Sequence, residues 1–371
     1  MVLLAARASC SIVRPPVGPR LSLSIAIAVA LAGCSSQSYL AIMPAVVNDT
    51  HNRTLRRDLL AFGAGDLCKE IGKRSVPVKL GPDDPAIGRF FIQRCDVKTL
   101  PGGDLFAQID GTGYAYSNLT KRIGFHAAAA VQLEQDFRLD GATAYVYFRP
   151  ASPPTHKLDP LMVELEAFPE TPISGVLVGG TPRGFVKQVG EGLFEHVLGE
   201  GFTVVRQASG AIAFTLGTNE PGDEPMVAFE PTSASGAIYA NERVEIHAGE
   251  REYFGPIDLT EDGKALDLTL CVDGAPGIDV QVVAREVGDA WLQQYLSTAA
   301  AGPAPGAPVF DDVVAQQPAT TPYRRTLRLP KGYYFVVLDH TDTAGKSGPP
   351  RVPNDDRAAL VGVAIAVTSA R

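Results

Sequence analysis

The chain has 371 residues, a formal net charge of −8 and a hydrophobic content of 45%. This acidic balance argues against a nucleic-acid partner, because such proteins gather positive charge on their binding face. The 37 glycines and 29 prolines favour a folded, turn-rich β protein over a disordered chain. The length is sufficient for two domains of ordinary size.

Residues 1–33 have the layout of a secretory signal. Three arginines precede an apolar run at residues 21–31, which is too short to cross a bilayer as a permanent helix. The run closes with Leu-Ala-Gly-Cys, ending at Cys34, which resembles the bacterial lipobox. That resemblance implies that the Cys34 thiol receives a diacylglyceryl group, that the signal is cut before it, and that the new amine is acylated. An ordinary signal peptide with a chance cysteine is the alternative.

The lipobox resemblance also implies a location in the cell. Ser35, not Asp, follows the lipidated cysteine, and in lipoproteins of this type that favours the bacterial outer membrane, with the protein body in the periplasm. The membrane is then a partner through the acyl chains on Cys34, and residues 34–47 form a tether. Residues 1–33 contain three arginines and no acidic residue, so the remainder has 30 basic and 41 acidic residues, a charge of −11. Such a body has no attraction to anionic headgroups.

Three cysteines remain after Cys10 and Cys34 are set aside. The periplasm is oxidising, so a disulfide between Cys68 and Cys95 is plausible, with two free buried thiols as the competing interpretation. Cys271 lies in an apolar strand pattern and is interpreted as a small buried hydrophobe.

Residues 48–218 are predicted to form an α+β domain. Its first amphipathic helix lies within residues 48–72, with a stripe that includes Leu55, Leu59 and Phe62, and its second lies near residues 182–198. Between the helices the apolar period changes to two, which predicts long antiparallel strands. These strands are predicted around residues 91–97, 105–109, 125–133, 143–148 and 161–165.

This order of elements resembles the tubular lipid-binding (TULIP) superfamily, which includes SMP domains and BPI-like proteins. The likeness rests on Leu55–Ile71 as first helix, Arg89–Val97 as the strand it leads into, Gly184–Leu198 as second helix, and the closing segments at residues 201–204 and 212–214. The resemblance implies a strongly curved sheet that wraps a long helix and leaves a groove for acyl chains. It implies no catalytic motif.

Small residues on the third predicted strand bear on that groove. Ala127 and Ala129 would face the stripe of the first helix, and small inward residues on adjacent long strands leave a channel or let a helix pack closely. We therefore assign a candidate ligand groove to Leu55, Leu59, Phe62, Ala127 and Ala129, with close helix packing as the alternative.

Residues 226–371 are predicted to be an all-β sandwich of jelly-roll type, after a Pro/Gly linker at residues 219–225. Trp291 and Tyr295 are predicted to lie on a short helix or cap over its core. The segment from Leu329 to Asp339 resembles the penultimate strand of GOLD-like secretory sandwiches, and residues 361–367 resemble the closing strand. That resemblance implies a module that binds proteins or packs against a neighbour.

The sequence offers little catalytic chemistry. No G-x-S-x-G motif occurs, and none of the six histidines has metal-binding spacing. We therefore expect no enzyme, no metal and no cofactor. The sequence favours a periplasmic lipoprotein that binds lipid or another apolar ligand without catalysis. The alternative is an envelope-assembly lipoprotein that acts only through protein partners.

Overall fold

A computed structural model describes the body of the chain. The described residues are 48–52, 54, 68, 72, 75–81, 84–117, 121–141, 143–164, 187, 190–192, 195, 198–206, 212–216, 227–230, 237–349 and 358–369. Of these residues, 60% lie in strands and 10% in helices. The strands form two curled antiparallel sheets, here called sheet A and sheet B.

Sheet A contains the first eight strands of the described chain. In chain order they are Val76–Val78 (β1), Gly88–Thr99 (β2), Leu105–Ser117 (β3), Lys121–Asp140 (β4), Thr143–Pro150 (β5), Thr155–Val163 (β6), Phe202–Arg206 (β7) and Ile212–Leu216 (β8). Their spatial order is β1-β2-β3-β4-β5-β7-β8. Strand β6 is not in this order, because it pairs with the same edge of β4 as β5 does. Residues 123–130 of β4 pair with β6, and residues 133–140 pair with β5.

Sheet A has one apolar face because side chains alternate along each strand. Across β3 and β4, Leu105 pairs with Leu133 and Ile109 pairs with Ala129. The buried side chains of this face form two clusters: Leu105, Ala107, Val131, Leu133 and Phe148 in the first, and Phe90, Ala115, Phe125, Ala127 and Leu158 in the second. The opposite face, here called the polar face, carries the polar members of the same strands. It also carries buried aromatic side chains: Phe91 and Tyr114 near one end, and a small cluster of Tyr145, Tyr147 and Val205.

Sheet B contains the remaining seven strands. They are Ala237–Ile246 (β9), Arg251–Asp258 (β10), Lys264–Ala284 (β11), Phe310–Gln317 (β12), Tyr323–Leu327 (β13), Tyr333–Asp339 (β14) and Ala359–Ser369 (β15). A helix, Arg285–Ser297 (α1), follows β11 in the chain. The order is β10-β14-β11-β15-β9, and β12 and β13 also pair with β11.

Sheet B folds into two layers that share strand β11. The first half of β11 pairs with β13 and β15 in the first layer, and its second half pairs with β12 and β14 in the second layer. Between the halves, Gly274 has a φ of 79°, a left-handed conformation that glycine adopts without steric cost. The register shifts between Val272 and Gly277. The bend lets one strand contribute to both layers, whose apolar side chains meet in a single large cluster.

Helix α1 lies on the outer face of the second layer, between the two sheets. Its buried residues include Trp291, Tyr295 and Leu296, which pack with Phe335 of β14 and with Tyr114 of β3. Trp291 and Tyr295 therefore lie on a helix, as predicted, but the helix is longer than predicted and packs between the two sheets instead of over the core of the sandwich. The helix gives the two sheets a shared apolar contact.

The structure corrects the predicted fold class. The expectation of an α+β N-terminal domain with two amphipathic helices is wrong, because the described residues are dominated by two curled antiparallel sheets. The strands run further than the sequence pattern indicated: β4 has 20 residues, and β6 begins at Thr155 and continues through Pro160. Among the described strands β6 pairs only with β4, and proline is tolerated in such a strand because one side donates no ladder hydrogen bond.

Candidate functional site

Two of the predicted groove residues lie on the apolar face of sheet A. Ala127 is fully buried and pairs with Gly111 and Leu158. A methyl group added at Gly190 would come within 3.2 Å of the Leu158 Cδ2 atom, so the helical residue Gly190 lies over this part of the face. The environment of Ala127 is therefore a packed one.

Ala129 has a different environment. It is 7% exposed and lies on the same face, between the two apolar clusters, yet it belongs to neither of them. Its strand neighbours are Ile109 on β3 and His156 on β6. In the middle of the apolar face, β4 therefore contributes only a methyl group, with the larger Ile109 beside it on β3.

The other predicted site residues divide into two groups. Cys34, Leu55, Leu59 and Phe62 lie outside the described residues. Cys68 and Cys95 form the predicted disulfide, with Cα atoms 5.5 Å apart. Cys95 pairs with Ile109, so the bridge ties the helical residue Cys68 to β2 on sheet A.

The most distinctive polar feature is a buried junction between the two sheets. At its centre, Arg89 of β2 is 1% exposed. Its Nε donates to Glu252 and its Nη2 donates to Glu242, both at 2.6 Å. The guanidinium also lies 4.2 Å from the ring centroid of Phe254. One arginine of sheet A therefore holds two strands of sheet B, β9 and β10.

Tyr114 completes the centre of the junction. Its hydroxyl donates to Glu252 at 2.9 Å and accepts from the backbone N–H of Tyr253, also at 2.9 Å. Burial lowers the pKa of Arg89, but the two facing glutamates outweigh burial and raise it overall. Burial raises the pKa of Glu252, against the opposing effect of Arg89. The phenol and the arginine together satisfy both oxygens of the Glu252 carboxylate.

A second part of the junction surrounds Arg122 of β4. Its Nη1 lies 3.5 Å from Glu250 and its Nη2 lies 3.3 Å from Glu164. Its Nη2 also donates to the carbonyls of Thr298 and Ala299, just after α1. The Tyr295 hydroxyl donates to Glu250. Burial raises the pKa of Glu250 to about 7, and Arg122 and Tyr295 counteract this only in part.

A third buried arginine, Arg251 of β10, makes its contacts within sheet B and with the loop after α1. It pairs with Asp339 of β14 and donates to the hydroxyls of Thr341 and Thr343. It also donates to the carbonyl of Gly302 at 2.7 Å, and the Trp291 indole N–H donates to the same carbonyl at 3.1 Å. These bonds fix the Ala/Pro/Gly loop after α1 against the sheet.

The carboxylates of these groups are all engaged by other side chains. Each of Glu242, Glu250, Glu252 and Asp339 is directed at an arginine or a hydroxyl. A histidine–carboxylate pair does occur on the polar face of sheet A, where His126 Nε2 lies 3.1 Å from Asp110, with both side chains about one third exposed. Within the described part of the chain, no three metal-ligating side chains come together.

Sequence reasoning missed the junction altogether. Arg89 and Arg122 occur in strands with alternating polarity, and such arginines are usually solvent-facing. Their partners lie 153 and 128 residues further along the chain. The only local signal is that acidic residues, among them Glu242, Glu250 and Glu252, lie close together in the sequence. Sequence alone does not distinguish this pattern from that of a solvated surface.

The sequence matches no protein-family model, and no curated protein shows significant similarity to it. Among the described residues, none of the helices has the length and apolar character needed to cross a membrane.

Proposed function

We propose that the chain is a lipoprotein of the bacterial outer membrane, anchored through acyl chains on Cys34, and that its body binds a lipid or another apolar ligand without catalysis. The observation that carries the ligand part is the apolar face of sheet A, where Ala129 lies between two clusters of buried apolar side chains. An acyl chain placed there would be stabilised by burial of its apolar surface, at about 25 cal/mol per Å². The anchor part rests on the lipobox-like sequence alone.

The experiment that tests the ligand site fills the space at Ala129. The full-length, detergent-purified chain is titrated with a dansyl-labelled fatty acid, and its stability is measured by urea unfolding. If the face holds a ligand, Ala129→Trp abolishes probe binding with little change in stability. If the face is a dry core, the same change overpacks it and lowers the free energy of unfolding by about 1–3 kcal/mol.

A neighbouring residue provides a matched control. Ala130 is on the same strand with its side chain on the opposite, polar face, opposite Gln108 and Thr155. Ala130→Trp should leave both probe binding and stability close to those of the unaltered chain. If the unaltered chain binds no probe and Ala129→Trp is strongly destabilised, the proposed ligand site is wrong, and the envelope-assembly function becomes the better explanation.

The anchor is tested separately. Cys34→Ala removes the only thiol to which the proposed lipid can be attached, so the chain should remain uncleaved or become soluble on fractionation. A mature-length Cys34→Ala chain that stays firmly bound to membranes would contradict the anchor, whatever the outcome at Ala129.

A further inference from the structure

We propose that Glu250 makes the association of the two sheets sensitive to protons: the junction is tightest when Glu250 is neutral and weakens when this carboxyl loses its proton. The inference rests on the geometry of the junction and is independent of the proposed ligand. It assigns a regulatory role to a residue that neither the anchor nor the apolar face uses.

The buried charges of the junction do not balance. Three buried arginines face five carboxyl groups: Arg89 faces Glu242 and Glu252, Arg122 faces Glu164 and Glu250, and Arg251 faces Asp339. If all were ionised, the cluster would bury an excess of negative charge. Isolated charges are costly in a low-dielectric interior, so the least well paired carboxyl is the one that stays protonated.

Glu250 is the least well paired of these carboxyl groups. Glu242 and Glu252 each lie 2.6 Å from Arg89, while Glu250 lies 3.5 Å from Arg122. Glu164 shares Arg122, but its side chain is 29% exposed and remains in contact with water. The Glu250 side chain is only 9% exposed. Glu250 therefore combines deep burial with the longest ion pair of the junction.

Groups from both sheets and from α1 surround Glu250. Arg122 approaches it from β4, Glu164 from the residue after β6, Arg251 from β10 and Tyr295 from α1. The backbone N–H of Glu250 donates to the carbonyl of His247, whose ring stacks on Tyr116 of sheet A. Both sheets and the helix between them thus meet at this one side chain, so its charge bears directly on their association.

The direction of the effect follows from proton linkage. Glu250 has a pKa of about 7 in the closed junction and an ordinary pKa of about 4.5 when exposed. Closing the junction therefore takes up a proton between these two values, and raising the pH opposes closure. The difference corresponds to a change of at most about 300-fold in the closing equilibrium, reached above about pH 7.

Hydrogen–deuterium exchange of the full chain tests this. The protection of backbone amides in α1 and at the start of β4, corrected for the intrinsic exchange rate, should fall at least tenfold between about pH 5 and about pH 8.5. In Glu250→Gln, which keeps the shape but does not titrate, this fall should disappear. The control Glu286→Gln, at an exposed position on α1, should behave as the unaltered chain does. An equal fall in Glu250→Gln, or no fall in the unaltered chain, would overturn the proposal.

Infrared spectroscopy of the unaltered chain gives a second test that does not require a folded variant. A protonated-carboxyl band should be present at about pH 6 and lost by about pH 8, as expected for a buried acid with a raised pKa. Absence of any such band at about pH 6 would show that Glu250 is ionised in the closed junction, and the proposal would then be wrong.

Discussion

At the scale of single residues, the cost of burying Arg89 is the central quantity. Moving a guanidinium out of water costs several kcal/mol, and its attraction to a carboxylate offsets this only when the geometry is good and the remaining hydrogen bonds are satisfied. Arg89 meets that condition with two charge-assisted bonds of 2.6 Å and a third contact to Ser75 at 3.3 Å. Removal of the arginine is therefore far more damaging than removal of a surface charge.

We predict that Arg89→Met lowers the free energy of unfolding by about 3–5 kcal/mol, because it leaves Glu242 and Glu252 buried without a counter-charge. Urea unfolding of the two chains measures the difference. Lys98→Met provides the control, since Lys98 and Asp96 form an exposed pair that contributes at most about 1 kcal/mol. Equal losses in the two variants would show that Arg89 is not the centre of the junction.

These residues also show what the sequence could not reveal. An arginine on an alternating strand has the same local pattern whether it faces water or a glutamate of another sheet. Which of the two occurs depends on which strands pack together in the fold. Arg89 and Glu242 are 153 residues apart in the sequence, so no local pattern contains this information. The Cys68–Cys95 pair was easier to predict, because only three cysteines lie beyond Cys34 and this limited the choices.

At the scale of elements, the contact between α1 and β4 depends on one missing side chain. A Cβ added at Gly124 would lie 2.1 Å from the carbonyl oxygen of Leu296, in the last turn of α1. Real Cβ atoms do not approach backbone oxygens so closely, so the helix would have to move away from the strand. Glycine at this position is therefore required by the close approach of the two elements.

We predict that Gly124→Ala lowers the free energy of unfolding by about 1–3 kcal/mol, the usual cost of overpacking. Gly102→Ala is the matched control, because a methyl group there meets nothing within 4 Å, and it should change stability by no more than about 0.5 kcal/mol. Urea unfolding followed by Trp291 fluorescence compares them. If Gly124→Ala is as harmless as its control, α1 does not press against β4.

The disulfide is a second contact between elements, joining the helical residue Cys68 to β2. Closing a loop with a sequence separation of 27 restricts the unfolded chain, so reduction should lower the free energy of unfolding by about 3 kcal/mol. Melting curves with and without reductant measure this. In the unfolded, unreduced chain, thiol labelling should find one reactive cysteine within residues 35–371, namely Cys271. Labelling of three would contradict the bridge.

Periodicity predicted many strands but not their extent. The strands predicted at residues 105–109 and 143–148 lie within β3 and β5, and the Asp-Gly pair at residues 140–141 is typical of the tight turn that joins β4 to β5. In the sequence, residues 265–272 and 278–284 have the patterns of two separate strands, although both belong to β11. Gly274 and Pro276 resemble a turn in the sequence, and only the pairing of both halves with common partners shows that the strand bends and continues.

At the scale of the whole molecule, the junction links the stability of the two sheets. Its charged groups are buried only while both sheets are in place, so opening it exposes the apolar contacts of α1 as well. We predict that the chain unfolds in one cooperative transition. Trp291 is the only tryptophan, so its fluorescence reports on the junction, while far-UV circular dichroism reports on all strands. Two separate urea transitions would contradict this coupling.

The pairing of β9 with β15 sets the order in which sheet B can be completed. These are its first and last strands, and Ile246 lies beside Ala359 across more than a hundred intervening residues. Contacts between such distant segments slow folding, because a large loop must close before they form. The ribosome makes β9 long before β15, so sheet B stays incomplete until β15 has been synthesised. Strand β15 is thus a timing element for sheet B.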